Sequence, residues 1–365
     1  MQKIDTKKKK IMIESIYISG YKSIREMDLQ LKPINILIGA NGSGKSNFIS
    51  YFKLVDSIQE QRLHNYTMRN NAEDLMYFGT KHTQEIHTSI VCNESQYSFC
   101  LQPRANGSMF IAEEKYTNGK AKEKLSSYTN LDESRILDSI TPVSPQLKNH
   151  LKGFKTYHFH DTSETSPMRL KSQIDDNHGL SKDGGNLASI LYLLKETNPL
   201  VFKRIEMVIR SVIPYFEKFI LTPSPLDPTK IAMQWSDKNS PDKYFSAKDL
   251  SDGSIRFIAL ATLLMQPSLP KLIIIDEPEL GLHPHAISKL AGLIRSASQR
   301  NCQIIIASQS ADLISNFEAT EIITVDKKDG ASIFSHLNEK ELSKWLEDYS
   351  LGELWSKSII NGQPR

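Results

Sequence analysis

The chain has 365 residues, of which 39% are hydrophobic and 24% are charged, and its formal net charge is +3 at pH 7. This length and composition allow at least one substantial hydrophobic core, which excludes an intrinsically disordered protein. The small net charge does not indicate a nucleic-acid-binding protein, because such proteins concentrate much more positive charge on one face.

Cysteine usage and hydropathy indicate a cytoplasmic protein without membrane contact. Cys92, Cys100 and Cys302 are odd in number and lack C-x-x-C spacing, so they fit neither a disulfide framework nor a zinc knuckle. No apolar run approaches the roughly 18–20 residues of a membrane span, and the N-terminus lacks the apolar core of a signal peptide. The basic residues 7–10 are interpreted as a solvated tail.

The first predicted elements form a phosphate-binding unit. Residues 11–24 predict a strand and a turn, and KPINILIGANGSGKSNFISYFKLVDSI then predicts a buried strand, a glycine-rich loop and a helix. In this order, backbone N–H groups and the helix N-terminus face a phosphate. The predicted nucleotide-binding residues are Gly39, Ala40, Asn41, Gly42, Ser43, Gly44, Lys45, Ser46 and Asn47.

Each residue type in this loop has a physical role. The glycines permit close approach of the backbone, Lys45 reaches the β- and γ-phosphates, and the hydroxyl of Ser46 is a ligand for magnesium. The complete G-x-x-x-x-G-K-S spacing disfavours a glycine-rich connection without nucleotide. ATP and Mg²⁺ are therefore the expected ligands.

The middle of the chain predicts a β-hairpin, a loop-rich segment and a strand. Residues 94–116 alternate around Asn106-Gly107, which predicts an antiparallel sheet beside the nucleotide-binding lobe. Residues 117–150 are polar and are expected to form loops or a partner surface. In FKTYHFHDTSE, His158, His160 and Asp161 are candidate metal ligands, but the sequence locates no further ligand, so we favour a strand that enters a polar loop near the nucleotide.

A helical hairpin is predicted over residues 187–213. Apolar residues recur at helical spacing, and the pattern is interrupted at Asn198-Pro199. No sustained heptads are visible, which argues against a long coiled coil.

LSDGS, at residues 250–254, precedes the apolar run IRFIALATLLM and predicts a polar turn at the N-terminus of a buried helix. Taken alone, this pattern favours an ordinary capped helix. Because the first loop already surrounds the phosphates, we interpret LSDGS as a second anion-binding helix end that acts on the γ-phosphate of another subunit's ATP. Ser251 and Gly253 are therefore predicted to bind nucleotide across a dimer.

Two further buried strands end in polar residues. The strand in LPKLIIIDEPELGLHPH ends at Asp276-Glu277, where Asp276 is predicted to hold magnesium through water and Glu277 to orient and polarise the attacking water. The strand in residues 301–314 precedes Gln309, whose amide is predicted to contact the γ-phosphate or the lytic water. The alternative, a capping turn with Ser310 as N-cap, stays open.

The C-terminal part of the chain offers fewer signals. His283 and His285 are expected to shape the turn after the acidic pair, with Pro284 fixing its backbone. The tail KELSKWLEDYSLGELW is amphipathic, and we favour core packing over docking of a partner. This tail is expected to be too small for a nuclease domain.

The order of GANGSGKSN, LSDGS, LIIIDEPELGLHPH and IIIASQS resembles that of ABC-type ATPase heads of the SMC, RecF and OLD class. The likeness is strongest to compact bacterial RecF-like ATPases of the AAA family, many of which are encoded in anti-phage loci. The resemblance implies a head-to-tail homodimer or higher homo-oligomer around two ATP, each held by Lys45 and Ser46 of one subunit and by Ser251 and Gly253 of the other. The switch position, commonly histidine, carries Gln309, and no Q-loop residue is assigned.

This resemblance implies an α/β P-loop NTPase of ABC/SMC-head type. We expect a mixed central sheet, a flanking antiparallel sheet and an inserted helical subdomain without a long coiled coil. The expected parts of one composite head, residues 1–365, are an N-terminal lobe (11–116), an inserted loop and helical region (117–245), a C-terminal lobe (246–335) and a helical tail (336–365).

The expected function is an Mg²⁺-dependent ATPase that acts as a switch. Its dimerisation on ATP would control engagement of DNA or of a partner effector such as a nuclease or toxin, in phage defence or DNA repair. The alternative is a non-catalytic scaffold that binds ATP, and the acidic Glu277 argues against it. A transporter ATPase is disfavoured because no Q-loop or membrane-coupling signal is recognisable.

Overall fold

A mixed six-stranded sheet forms the centre of the computed structural model, which describes residues 12–93, 95–117, 126–136, 151 and 153–362. In spatial order its strands are β18 (Ala331–His336), β17 (Ile322–Lys328), β3 (Ile34–Ile38), β16 (Gln303–Ser308), β15 (Leu272–Asp276) and β8 (Phe154–Tyr157). All neighbours are parallel except β17 and β18. The carboxyl ends of five strands therefore meet at one edge.

A second sheet of six strands is antiparallel throughout. Its order is β2 (Ile24–Gln30), β1 (Ile13–Tyr21), β4 (Ile86–Cys92), β5 (Ser95–Pro103), β6 (Met109–Thr117) and β7 (Ser126–Leu131). The β5–β6 hairpin confirms the prediction for residues 94–116. Strand β7 corrects the prediction of a loop-rich segment over 117–150, because residues 126–131 pair with β6. Residues 118–125, 137–150 and 152 lie outside the described residues.

Ten helices are described, and they include the predicted hairpin. In chain order they are α1 (Lys45–Gln59), α2 (Leu63–Asn70), α3 (Ala72–Leu75), α4 (Leu187–Thr197), α5 (Pro199–Val212), α6 (Asp252–Met265), α7 (Pro284–Gln299), α8 (Ala311–Ile314), α9 (Glu339–Leu342) and α10 (Leu351–Ser356). Helices α4 and α5 meet at Asn198, because Pro199 fits only the first turn of a helix. In the part of the chain that the structure describes, the longest helix is α7 with 16 residues, which agrees with the absence of a long coiled coil.

Two small sheets surround the helical hairpin and were not predicted. One contains β10 (Phe216–Ile220), β13 (Gln234–Asp237) and β14 (Ser240–Ser246), and the other contains β9 (Ser172–Gln173), β11 (Pro223–Ser224) and β12 (Asp227–Ile231). The region 117–245, predicted as loop and helix, therefore also contains short antiparallel strands.

Hydrophobic cores cover both faces of the central sheet. Ile36 and Ile38 of β3 pack with the helical hairpin and with α6 and α7, whereas Leu37 packs with α1 and the antiparallel sheet. This alternation explains the continuous apolar strands, because a parallel sheet is buried on both faces. Leu351 and Leu354 of α10 join the first core, in agreement with the predicted packing of the tail. No helix in the described ranges is long and apolar enough to cross a membrane.

Candidate functional site

The loop between β3 and α1 is shaped to receive an anion. Gly44 adopts φ 118°, and a Cβ atom added there would lie 2.0 Å from Ser332 Oγ, so only glycine fits. Within the described residues, no side chain caps α1, which leaves the N–H groups of its first turn available to a ligand. Ser43 Oγ is buried without a hydrogen-bond partner in the same described set. These features fit the phosphates of a nucleotide.

Lys45 folds back over this loop. Its Nζ donates hydrogen bonds to the carbonyl oxygens of Gly39 (2.5 Å) and Ala40 (3.0 Å), and the side chain is buried. Burial lowers the pKa of Lys45, while the carboxylates of Glu277 and Asp276 oppose that shift. The structure therefore brings the lysine of the loop and the acidic pair into one electrostatic site.

The other loop residues differ in exposure. Asn41, Gly42 and Ser46 are exposed. The side chain of Asn47 donates to Ser23 Oγ at 2.7 Å and so fastens α1 to the turn between β1 and β2. In this structure Asn47 positions the loop, and its predicted contact with nucleotide stays a prediction.

The acidic pair lies at the carboxyl end of β15. Asp276 is half-buried, and burial, reinforced by the adjacent Glu277, raises its pKa. Glu277 adopts φ 42°, a left-handed conformation that is uncommon for a residue with a side chain and costs roughly 1–3 kcal/mol. Strain of this kind is concentrated at functional sites.

Gln309 contacts the acidic pair directly. Its Nε2 donates a hydrogen bond to Glu277 Oε1. Ser310 is the N-cap of α8, since its side chain accepts from the N–H of Leu313 at 3.2 Å. The capping turn is therefore present, and Gln309 contacts Glu277, whereas the predicted contact of Gln309 with the γ-phosphate or the lytic water stays a prediction.

Glu279 is a site residue that sequence reasoning missed. It is 8% exposed, and its Oε1 accepts hydrogen bonds from Ser308 Oγ (2.5 Å) and Gln309 N (3.2 Å). Its Oε2 is buried without a partner among the described residues. Glu279 therefore fastens the loop that carries Gln309 to the turn that carries Glu277, and the only sequence signal was a third carboxylate in DEPEL.

We expect Glu279 to make stability depend on pH. Burial raises its pKa, so the folded state binds more protons than the unfolded state above the ordinary pKa of glutamate. Its contribution to stability is thus present at low pH and is lost as pH rises through the folded pKa. Glu279→Gln removes this titration, so the stability of the variant relative to wild type should increase from about pH 5 to about pH 8. Urea unfolding at both pH values measures this, and a pH-independent difference would contradict it.

Ser251 and Gly253 begin α6. Ser251 is exposed and caps the helix by accepting from the N–H of Ser254 at 3.2 Å. A Cβ atom added to Gly253 would lie 2.2 Å from the carbonyl oxygen of Gly281. Gly253 thus packs against the turn after the acidic pair within one chain, a role that sequence reasoning missed.

Arg256 connects three segments around the site. It is 6% exposed and donates to the carbonyl oxygens of Phe159 (2.9 Å), His160 (3.2 Å) and Leu280. It therefore links α6 to the segment after β8 and to the turn after β15. Nothing in LSDGSIR distinguished this arginine from a surface residue.

Arg169 makes a second connection of the same kind. Its guanidinium donates to the carbonyl oxygens of Thr162, Ala247 and Leu250, and pairs with Asp252 at 3.0 Å. The start of α6 is thus held to the segment that follows β8.

Replacing Arg256 by methionine is expected to lower the free energy of unfolding by about 3 kcal/mol, because buried carbonyl oxygens lose their donors. The exposed Arg204 offers a matched control, and Arg204→Met should change stability by less than about 0.5 kcal/mol. Urea unfolding of both variants compares the two positions. Equal effects would show that Arg256 is not a structural link.

The histidines fall into two groups. His283 caps α7, accepting from the N–H of His285 at 3.2 Å, and His285 Nε2 lies 3.0 Å from Ser211 O, so both shape the turn as expected.

His158 and His160 instead lie beside Asp276. The carboxylate of Asp161 accepts hydrogen bonds from the backbone N–H and hydroxyl of Ser163 at 3.0 and 2.7 Å. Asp276, not Asp161, is therefore the carboxylate beside the histidines.

The fold and the site together define an ABC-type ATPase head of the SMC and OLD type. The chain belongs to the family described as "AAA domain, putative AbiEii toxin, Type IV TA system", whose model matches residues 34–316. This match confirms the resemblance seen in the motifs. ATPase families of this type bind ATP and typically use Mg²⁺.

Two curated proteins are similar in sequence to parts of this chain. The chain is 24% identical to the Old nuclease of Escherichia phage P2, over 93% of this chain and 62% of that protein. It is 30% identical to the energy-coupling factor transporter ATP-binding protein EcfA3 of Oenococcus oeni, over 23% of this chain and 30% of that protein. The chain thus spans less than two thirds of the length of the nuclease.

Solved structures share the fold. An SMC head bound to the C-terminal winged-helix domain of ScpA gives a TM-score of 0.61 at 19% identity, covering 91% of this chain and 99% of that chain. An Smc head with an extended coiled coil, bound to the C-terminal domain of ScpA and derived from Pyrococcus furiosus, gives 0.58 at 17% identity, covering 93% and 99%. The expected fold class is confirmed.

Proposed function

We propose that the protein is an ATP-hydrolysing switch in which two copies close head to tail around two ATP. The observation that carries this proposal is the convergence of Lys45, the acidic pair and Gln309 at one edge of the central sheet. A non-catalytic scaffold would not need a carboxylate and an amide in contact next to the phosphate-binding loop.

The residues have complementary roles in this proposal. The N–H groups of residues 39–44 and the ammonium of Lys45 hold the phosphates. Ser46 and Asp276 are the residues that would hold Mg²⁺, which neutralises phosphate charge when bound. Glu277 orients and polarises the attacking water, and Gln309 holds Glu277 in position.

The start of α6 completes the site from the partner copy. Ser251 is exposed at the N-terminus of a 14-residue helix, where an anion is stabilised by the unpaired N–H groups. Because Arg256 and Arg169 tie this helix to the segment after β8, closure on ATP would move these elements together. Such a movement would control DNA or an effector protein such as a nuclease or toxin, in phage defence or DNA repair.

Mixing two inactive variants tests the shared site. Lys45→Ala and Ser251→Arg are each expected to abolish turnover in a homodimer. A mixed dimer contains one site with an intact Lys45 and an intact Ser251, so an equal mixture should recover about a quarter of the wild-type sites. ATP turnover of each variant and of the mixture is the measurement.

The exposed Ser343 provides the control, because Ser343→Arg introduces the same charge elsewhere and should leave turnover unchanged. No recovery in the mixture would show that the start of α6 does not act on the ATP of a partner. Full activity of Ser251→Arg alone would lead to the same conclusion.

A further inference from the structure

Two histidines and the aspartate of the acidic pair form one cluster. The ligand atoms of His158, His160 and Asp276 all lie within 4.8 Å of one another. The pairing of the strands explains this: β8 and β15 are parallel neighbours, and Tyr157 pairs with Ile275. His158 and Asp276 directly follow this residue pair, so they lie side by side at the edge of the sheet where the phosphate-binding loop also lies.

The imidazole of His158 is available to a ligand. Its Nε2 is buried and has no hydrogen-bond partner among the described residues, whereas buried polar atoms are nearly always paired. The ring of His160 lies beside it, with centroids 6.2 Å apart. The Arg256 guanidinium holds the backbone carbonyl of His160 at 3.2 Å, which fixes the segment that carries the second ring.

This ligand set favours transition metals over magnesium. Imidazole nitrogen is a good ligand for Mn²⁺, Co²⁺ and Zn²⁺, whereas Mg²⁺ prefers oxygen ligands and retains its waters. Ligand atoms about 2.0–2.2 Å from one ion lie roughly 3–3.5 Å from one another. Small side-chain rotations therefore bring the three atoms of this cluster to a single ion.

We propose that His158, His160 and Asp276 form a binding site for a divalent transition metal, occupied without nucleotide and selective against Mg²⁺. This proposal rests on the proposed function in one respect, since Asp276 is also a residue that would hold the Mg²⁺ bound with ATP. The two histidines thus supply two nitrogen ligands next to this carboxylate.

Two of the lysines near the cluster have hydrogen-bond or ion-pair partners, and a third, Lys53, is a position where a change of charge should alter metal binding. Lys182 is paired with Asp56 at 2.5 Å, and Lys45 is bonded to loop carbonyl oxygens. The exposed Lys53 is attracted to Asp276 and repels a cation there. A cavity of about 370 Å³, lined in part by Lys53 and His158, gives access from solvent.

Cobalt titration of the full-length, nucleotide-free protein after chelator treatment tests the proposal. Visible absorption bands should saturate at one Co²⁺ per chain. His158→Gln and His160→Gln should each weaken binding at least about ten-fold. Lys53→Ala should strengthen it about three-fold, because a positive charge is removed. The exposed His178 is the matched control, and His178→Gln should bind like wild type.

Electron spin-echo spectroscopy of Mn²⁺ bound to the wild-type protein gives a test that needs no variant. Modulation from histidine nitrogen is expected, and its absence would overturn the proposal. Cobalt binding unchanged in both histidine variants, or displacement of Co²⁺ by an equal concentration of Mg²⁺, would also overturn it.

Fluorescent ATP binding in Mg²⁺ separates this proposal from the proposed function. Lys45→Ala should lose ATP binding and keep Co²⁺ binding. If the wild-type protein hydrolyses ATP but does not bind Co²⁺, only the proposed metal site is contradicted. If it binds Co²⁺ but does not hydrolyse ATP, only the proposed switch function is contradicted.

Discussion

Replacing Glu277 by glutamine is expected to lower the rate of ATP hydrolysis at least about 100-fold, because the water loses its general base. The exchange keeps the size of the side chain and its contact with Gln309, so the loop geometry should persist. ATP binding should therefore remain close to that of wild type. Steady-state release of phosphate, together with binding of a fluorescent ATP analogue, separates these two effects.

An exposed glutamate serves as the control for this exchange. Glu347→Gln removes the same charge outside the site and should leave the turnover rate unchanged. If Glu277→Gln hydrolysed ATP at the wild-type rate, the general base would have to be another residue. If it lost ATP binding as well, Glu277 would be a residue of the binding site and not specifically of the hydrolytic step.

Replacing Lys45 by alanine is expected to abolish the stabilisation of the protein by ATP. At an ATP concentration about 100 times the dissociation constant, wild type gains about 2.7 kcal/mol of stability, and a variant that no longer binds gains none. Lys45→Ala also removes the donor to the carbonyl oxygens of Gly39 and Ala40, so the gain from ATP is measured in each protein against the same protein without nucleotide.

Thermal unfolding with and without Mg²⁺ and ATP measures this difference. Lys289→Ala, at an exposed lysine of α7, should show the wild-type shift in unfolding temperature. An equal ATP-dependent shift in Lys45→Ala would contradict the assignment of the loop to the phosphates.

The sequence predicted the parts of the site that are contiguous in the chain. The loop before Lys45 and the acidic pair at the end of β15 could be identified because strand, loop and spacing lie within short segments. The contact between Gln309 and Glu277 was not predicted, because it depends on β15 and β16 being parallel neighbours.

Other features depend on contacts between distant segments. Arg256 and Arg169 act on backbone carbonyl oxygens, which are the same for every residue type and leave no pattern in the sequence. The histidine cluster required the pairing of β8 with β15, so Asp161 was the candidate ligand in place of Asp276. The assignment of four parts to one composite head stays a prediction.

The light-scattering mass of Glu277→Gln with Mg²⁺ and ATP tests the central claim most directly. Blocked hydrolysis should trap a dimer, and the added exchange Ser251→Arg should return the mass to that of the nucleotide-free protein. A mass that ATP does not change in either protein would contradict the head-to-tail ATP sandwich. A dimer that persists with Ser251→Arg would contradict the role of α6 in closing it.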